Sequence, residues 1–391
     1  MTRGFEMKVA ATKALKAAAG FWFVVTIVGQ LVFAASVAIF YGNSAAHGNW
    51  QAWNSSMTKA YVPGHTLSNS AAAAHLSGAV LIIVLGALQL IPQVRTRFPV
   101  FHRWNGRVYL FGAFAITVSA MYMIWIRGAV GDLPQHLGST LNSALVWIFG
   151  GLALRTAMAR DFTAHRRWAL RLFIVLLGVW FLRVMLTLWV IVMGGPVGFD
   201  TSTFTGPLLS FMSFGAYLIP LAILEFYLLA QKSPNAASRM TMAGALVVVT
   251  LVMGAGTGAI AFGEWIPRMD LHNNKATDML AKAIRTDGLD AAVAQFRSVR
   301  AQGFPGVYEN EKQMNSLGYQ YLHAGQLDVA VAVLRLNTET HPKSANTYDS
   351  LGEACADAGD KTCAIENYRK AAALDPKMAS SVNALKKLTT P

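Results

Sequence analysis

Four histidines stand where they could do chemistry together. His75 lies in AAAAHLSGAVLIIVLGALQLIP, His102 in FPVFHRWNGRVYLFG, His136 in LPQHLGST and His165 in DFTAHRRWALRLF. Each opens an apolar stretch, and the four stretches are consecutive. If every stretch is a membrane helix, the directions alternate. His75 and His136 then share the outer layer, and His102 and His165 share the inner one. The layers are about 17 residues of helix apart, or roughly 25 Å at 1.5 Å per residue. Two imidazoles facing each other across a bundle can ligate a haem iron from both sides. The positive end of a helix N-terminus disfavours imidazolium, which keeps each ring neutral and able to bind metal. A lone interfacial histidine is ordinarily just solvated at headgroup depth, so it is the alternation over four helices that points to ligation.

Two intramembrane charges accompany them, Arg183 in the fifth stretch and Glu225 in the sixth. A charge in hydrocarbon is costly and is a functional candidate by default. Counted from the inner edge, Arg183 lies roughly 18 Å deep and Glu225 roughly 9 Å, too far apart in depth to pair. Arg183 is expected to reach an outer-layer haem propionate, and Glu225 to reach Arg171. The loop 42–70, with His47, His65, Trp50 and Trp53, reads as an aromatic belt with solvated histidines. No Gly-rich phosphate loop, Gly-x-Ser-x-Gly elbow, His-Glu-x-x-His or Cys-x-x-Cys-His motif occurs.

The elements that must position these residues are seven apolar stretches, at 17–41, 71–92, 104–126, 137–158, 168–193, 207–230 and 240–262, each near the 20 residues a crossing needs. The apolar run of the first is too long for a signal peptide, whose core is about 7–15 residues, so it reads as a retained anchor. With 54% hydrophobic and 14% charged residues the chain is too apolar for an ordinary soluble protein. Residues 1–263 carry 18 Lys and Arg against 5 Asp and Glu, whereas residues 264–391 carry 15 against 15. The basic excess thus belongs to the apolar half, which argues for membrane orientation and against nucleic-acid binding. Arg3, Lys8, Lys13 and Lys16 precede the first stretch. Arg95, Arg97, Arg103 and Arg107, then Arg155, Arg160, Arg166, Arg167 and Arg171, then Lys232 and Arg239, fill alternate loops. The loops between hold only Lys59, Arg127 and no Lys or Arg at all. The expected topology has a cytoplasmic tail at 1–16, a membrane domain at 17–263, a linker at 264–276 and a domain at 277–391 outside the cytoplasm, in a bacterial inner membrane.

The C-terminal part repeats every 34 residues. Leu317 matches Leu351, Gly318 matches Gly352, and Gly325 matches Gly359. Ala330 matches Ala364, Leu334 matches Tyr368, and Pro342 matches Pro376. Small residues let two helices pack closely, larger ones fill the groove, and the proline ends the unit. This pattern resembles the tetratricopeptide repeat. GLDAAVAQF at 288–296 parallels GQLDVAVAVL at 325–334 and marks a degenerate earlier unit, with 378–389 as a capping helix. The array is either a spacer or a concave surface for a protein or peptide partner. Cys355 and Cys363 flank the ADAGDKT turn of the last unit. They either bridge two antiparallel helices or serve as small core thiols.

The histidine pattern over 71–194 resembles cytochrome b561 and related di-haem membrane cytochromes, and HRWNG at 102–106 is similar to their His-x-Trp-x-Gly stretch. The resemblance implies two b-type haems, one held by His75 and His136 and the other by His102 and His165. GALQLIPQVRTRFPVFHRWNGRVY also looks like an uncharacterised bacterial family of predicted membrane proteins, which implies no activity. The expected fold is all-α, a polytopic helix bundle followed by an α-solenoid of tetratricopeptide type. The expected function is a transmembrane di-haem cytochrome, an electron-transfer membrane oxidoreductase with an outer docking domain. The alternative is a haem-free scaffold, sensor or assembly factor anchored by the bundle. A transporter is disfavoured, because the spans show no internal duplication.

Overall fold

Apolar runs of more than 20 residues have only one way to satisfy their backbone in hydrocarbon, which is to become helices. The computed structural model describes residues 2–46, 48, 50–55, 60–200, 203–269, 275–301, 311–376 and 378–389. Among them there are helices and a single isolated bridge between Asp200 and Thr205, with no strand. The first half runs α1 (Thr2–Ala46), a 3-10 turn (Trp50–Ser55), α2 (Thr66–Leu90), α3 (Pro92–Arg97), α4 (Pro99–Trp125), α5 (Leu133–Met158), α6 (Phe162–Leu176), α7 (Gly178–Met193) and α8 (Pro207–Lys232). Then come α9 (Ala236–Ile260), a π turn (Ala261–Trp265) and α10 (Ile266–Met269).

Six of these elements are long and apolar enough to cross a membrane: α1, α2, α4, α5, α8 and the stretch Ala236–Met269. Helices α6 and α7 qualify together, bent by 51°, and bring the crossings to seven when the bent pair is one span. The bend falls at Leu177, whose ψ of −1° interrupts the helix. Beside it, Gly178 lets the Asn142 amide approach, since a Cβ there would lie 3.2 Å from Asn142 Nδ2. Phe111, Val192 and Phe262 are each about three-quarters exposed, an arrangement that fits lipid contact rather than water.

Two boundaries differ from the sequence reading. The expected tail 1–16 is helical and continuous with the first span. Ala11 is fully buried, and Leu15 and Ala18 pack with Ala230, Ala243 and Leu246. At the other end, helix continues past the expected boundary at 263 as far as Met269. Of the expected linker, residues 270–274 lie outside the described residues.

The bundle core between α2, α4, α5 and α6 is filled by Ile82, Tyr109, Ala113, Val146, Phe149, Leu172 and Val175. The contact of α2 with α4 is a seam of small against large residues. Gly86 meets the Tyr109 ring and Gly112 meets Ile82, the close approach by which membrane helices gain dispersion energy without a hydrophobic drive. Polar side chains fasten the seam, with Gln89 Nε2 donating to the His102 carbonyl at 2.9 Å and Asn105 Nδ2 to the Leu85 carbonyl at 3.1 Å.

The C-terminal helices form hairpins: α11 (Lys275–Asp287) with α12 (Leu289–Ala301), α13 (Glu311–His323) with α14 (Leu327–Thr340), and α15 (Ala345–Asp357) with α16 (Lys361–Leu374), closed by α17 (Ala379–Thr389). The 34-residue period is visible as packing. Gly318 receives Leu334, and Gly352 receives the Tyr368 ring. Gly325 and Gly359 take φ of +73° and +80° at the hairpin turns, where a side chain would be strained. The segment Phe40–Asn69 belongs to the same compact unit as these helices, and Met1–Ile39 with Ser70–Met269 form the other.

Candidate functional site

Each of the four histidines sits in a helix and meets a different partner. His75 turns toward α4, with Nδ1 3.2 Å from the Ile116 carbonyl and 3.1 Å from Ser119 Oγ. His165 Nδ1 lies 2.9 Å from the Ala153 carbonyl. A carbonyl only accepts, so in both rings Nδ1 holds the proton and Nε2 is left for a ligand, the orientation metal-binding histidines use. His136 is arranged the other way: its Nε2 is 3.3 Å from the Ala129 carbonyl, and its ring is edge-on to Trp125. His102 Nδ1 is buried with no hydrogen-bond partner among the described residues. The two outer rings are engaged separately, His75 with α4 and His136 with its own preceding loop, and His165 turns to the Ala153 carbonyl of α5. Among the described residues no group of three or more His, Cys, Asp or Glu is placed to hold a metal ion. His65 is a loop residue, and His47 lies outside the described residues.

The charges pair within the chain. Arg171 holds Glu225 through two hydrogen bonds, Nε to Oε1 at 2.6 Å and Nη2 to Oε2 at 2.7 Å, with its guanidinium 4.6 Å from the Trp168 ring centroid. The expected Glu225–Arg171 contact is therefore present. Arg183 is 4.0 Å from Glu264 and stands over the Phe33 ring. Glu264 also meets Arg268 at 3.0 Å. Glu264 lies on the π turn, at the edge of what the sequence reads as linker, so its role was not visible from the apolar pattern.

In the C-terminal unit, side chains join hairpin to hairpin along α13 and α15. The Tyr319 hydroxyl donates to Glu353 at 2.5 Å, and Asn346 Nδ2 donates to Glu311 at 3.0 Å. Ser380 and Ser381 both donate to Asp349, tying the cap to α15. Burial, and then the neighbouring Glu353 carboxylate, push the Tyr319 phenol far above its ordinary value. Cys355 and Cys363 are disulfide-bonded with Cα atoms 5.7 Å apart, one near the end of α15 and the other near the start of α16.

The part that sequence reasoning missed is the loop before α2. Trp53 is not a belt residue. It is only 5% exposed, edge-on to Tyr41 and Trp50, and its indole N–H donates to the Tyr41 carbonyl at 3.2 Å. The Trp50–Ser55 turn packs against α13. No local pattern carries this contact, because α13 is about 260 residues away along the chain.

Residues 72–228 match a family described as a predicted membrane protein, DUF2306. The match runs from α2 to α8 and so takes in all four histidines and the Arg171–Glu225 pair. A stretch of 65 residues is 42% identical to Superkiller complex protein 3 of Homo sapiens and 40% identical to that of Mus musculus. It covers 17% of this chain and 4% of each relative, so the chain spans only a small part of the curated relatives it matches. No solved structure matches.

Proposed function

We propose that the chain is a membrane-anchored docking protein, with a helix bundle that carries a tetratricopeptide-type array outside the cytoplasm for a protein or peptide partner. The observation that carries this reading is the row of first helices α11, α13 and α15, which contact one another in order, with α13 and α15 joined through Tyr319–Glu353 and Asn346–Glu311. Such a row offers a continuous inner face to a ligand. The local likeness to a protein named for a complex supports a role in assembly.

Orientation has independent support. The loop after α1 and the C-terminal helices pack into one unit, and a membrane cannot lie between parts that touch. This supports an array on the side opposite the N-terminus, as seven crossings would have it. The Lys and Arg bias makes the N-terminal side cytoplasmic, and a disulfide suits the oxidising side.

The test uses the full chain in cells. A reporter active only outside the cytoplasm is fused after Pro391, and a photoreactive residue is placed at Asn346 on α15 or at Arg369 on α16. An active reporter and a discrete crosslinked product from Asn346 but not from Arg369 are expected. A silent outside reporter with an active cytoplasmic one, or identical products from both positions, would refute the reading.

A second reading, a b-type cytochrome, is favoured only by the inner pair. His102 and His165 would hold a haem there, which would supply a one-electron couple. His165 is already oriented by Ala153 to offer Nε2. To hold a second haem with His75, His136 would have to use Nδ1 or give up the contact of its Nε2 with the Ala129 carbonyl. Membranes from a haem-replete host should show a reducible b-type band that His102→Ala and His165→Ala abolish equally. Colourless purified protein would end this reading.

A further inference from the structure

The loop between α1 and α2 has the construction of a ligand. Asn54 closes on Tyr61 with two hydrogen bonds, Nδ2 to the carbonyl at 2.9 Å and the Tyr61 N–H to Oδ1 at 2.8 Å. Asn69 closes on Val62 in the same way, at 2.8 and 2.9 Å. Trp50 stacks on Tyr61 with ring centroids 6.3 Å apart, and Trp53 fills the space between Trp50 and Tyr41. A turn already held in shape loses little conformational entropy on docking, and tryptophan and tyrosine are the side chains that dominate interface energetics.

The face on which it sits follows from what surrounds α13. Helix α14 backs it, with Leu334 seated on Gly318. Helices α11 and α15 flank it. The side that remains is the inner face of the array, the side on which a partner would be expected, and by this elimination the contact of the Trp50–Ser55 turn with α13 is assigned to it.

We propose that the Trp50–Ser55 turn is a cis ligand of the repeat array, and that the same face reads a partner segment of like chemistry: an aromatic turn with two tryptophans three residues apart followed by asparagine. This deepens the docking reading and rests on it. A ligand tethered by a short connection acts at an effective concentration of order millimolar. If the turn has an intrinsic affinity of order 10 µM, cis occupancy weakens binding from solution about a hundredfold. The array is thus closed at rest. It opens to a partner that presents its own aromatic turn at high local concentration, as a neighbour on the same membrane surface does.

The test uses the full-length protein in lipid nanodiscs and a fluorescent synthetic peptide of residues 48–62. Trp50→Ala combined with Trp53→Ala removes the indoles that hold the turn in shape for docking, and Trp50→Ala alone, at a side chain already 39% exposed, guards against misfolding of the double variant. The double variant should bind the peptide about a hundredfold more tightly than the parent, and the single variant should fall between them. Bound peptide should slow hydrogen exchange in α13 and not in α14. Equal binding to all three proteins shows that the face is not filled in cis and overturns the proposal. Binding to none of them shows that the face does not read this turn and overturns it equally. The docking reading fails separately. If the double variant binds the peptide with α13 protected while Asn346 crosslinks no discrete partner, the cis ligand stands and the external partner does not.

Discussion

Reduction of the Cys355–Cys363 bond is the perturbation with the cleanest arithmetic, because it changes connectivity while leaving every side chain in place. The cysteines are eight apart in sequence, so the bond closes a loop of nine residues. In the chain-entropy account, freeing a loop of that length lets the unfolded chain recover about 2.5 kcal/mol at room temperature. A helical domain of this size loses roughly 4 °C of melting temperature per kcal/mol, which gives a fall of about 10 °C. That figure is an upper bound. The α15–α16 hairpin is also held by Gly352 against Tyr368 and by the Asp360 cap on the Cys363 N–H at 2.9 Å, so a reduced chain keeps part of the constraint. The assay is a thermal proteolysis series on the full-length detergent-solubilised protein with and without a phosphine reductant, following C-terminal fragments, with intact mass after alkylation as the redox readout. Without reductant, neither thiol should take the label. A melting temperature unchanged by reduction would refute the stabilising role. Two freely labelled thiols in protein taken directly from membranes would refute the bond and remove one support for the outward orientation.

Other expectations follow from individual contacts. Gly318→Ala should lower the melting temperature of the C-terminal unit: the added Cβ would come within 2.5 Å of Leu334 Cδ2, and Leu334 is fully buried. Overpacking of about 1–3 kcal/mol then outweighs the gain in helix propensity of about 1 kcal/mol, and a variant as stable as the parent would show that Leu334 can yield. Glu225→Gln should destabilise the solubilised bundle by about 1–3 kcal/mol, as expected when a charged hydrogen bond is lost from Arg171, whose side chain is only 18% exposed. An unchanged unfolding midpoint would mean that the pair is fully solvated. Because burial raises the Tyr319 pKa, its contribution to stability is present below the unfolded value near 10 and is lost as pH climbs from there toward the folded-state value. Tyr319→Phe should reduce that alkaline slope in pH-dependent melting of the C-terminal unit, with Tyr321 and Tyr368, also raised by burial, supplying the remainder, and a slope identical to the parent's would assign it to them alone.

The parts of this molecule that were legible in the sequence are those whose signal is local and repeated. The spans declared themselves through length and apolarity, and the hairpins through six positions matched at one period. Boundaries at 16 and 263 were not legible. VAATKALKAAAG reads equally as a tail and as helix, and only Ala230, Ala243 and Leu246, more than 200 residues later, decide that it packs. The histidines show the intermediate case. Their layer along the membrane follows from position in a helix, but their direction follows from rotation, at 100° per residue, against neighbours the sequence does not reveal. His75 therefore lies at the expected depth and faces α4. Trp53 was misread for a related reason. A tryptophan beside an apolar stretch has the same pattern whether it lies at a membrane interface or beneath a fold of its own loop, and here Asn54, Asn69 and α13 make the difference.

Arg183 shows how a distant residue can change what a site means. Taken alone, an arginine in mid-span calls for an anion, and a haem propionate is the natural one to supply if a haem is assumed. The chain supplies its own. The π turn Ala261–Trp265 inserts an extra residue into the last crossing, and Trp265, 1% exposed, packs 5.0 Å from the Phe33 ring. Glu264, beside Trp265, is thereby set between Arg183 and Arg268, with Phe33 also lying under Arg183. The charge that seemed to ask for a cofactor is thus matched within the last span, so the case for haem in this bundle falls back on two inner imidazoles. The docking proposal rests instead on long-range contacts of the C-terminal unit, the Trp50–Ser55 turn against α13 and Tyr319 of α13 against Glu353 of α15.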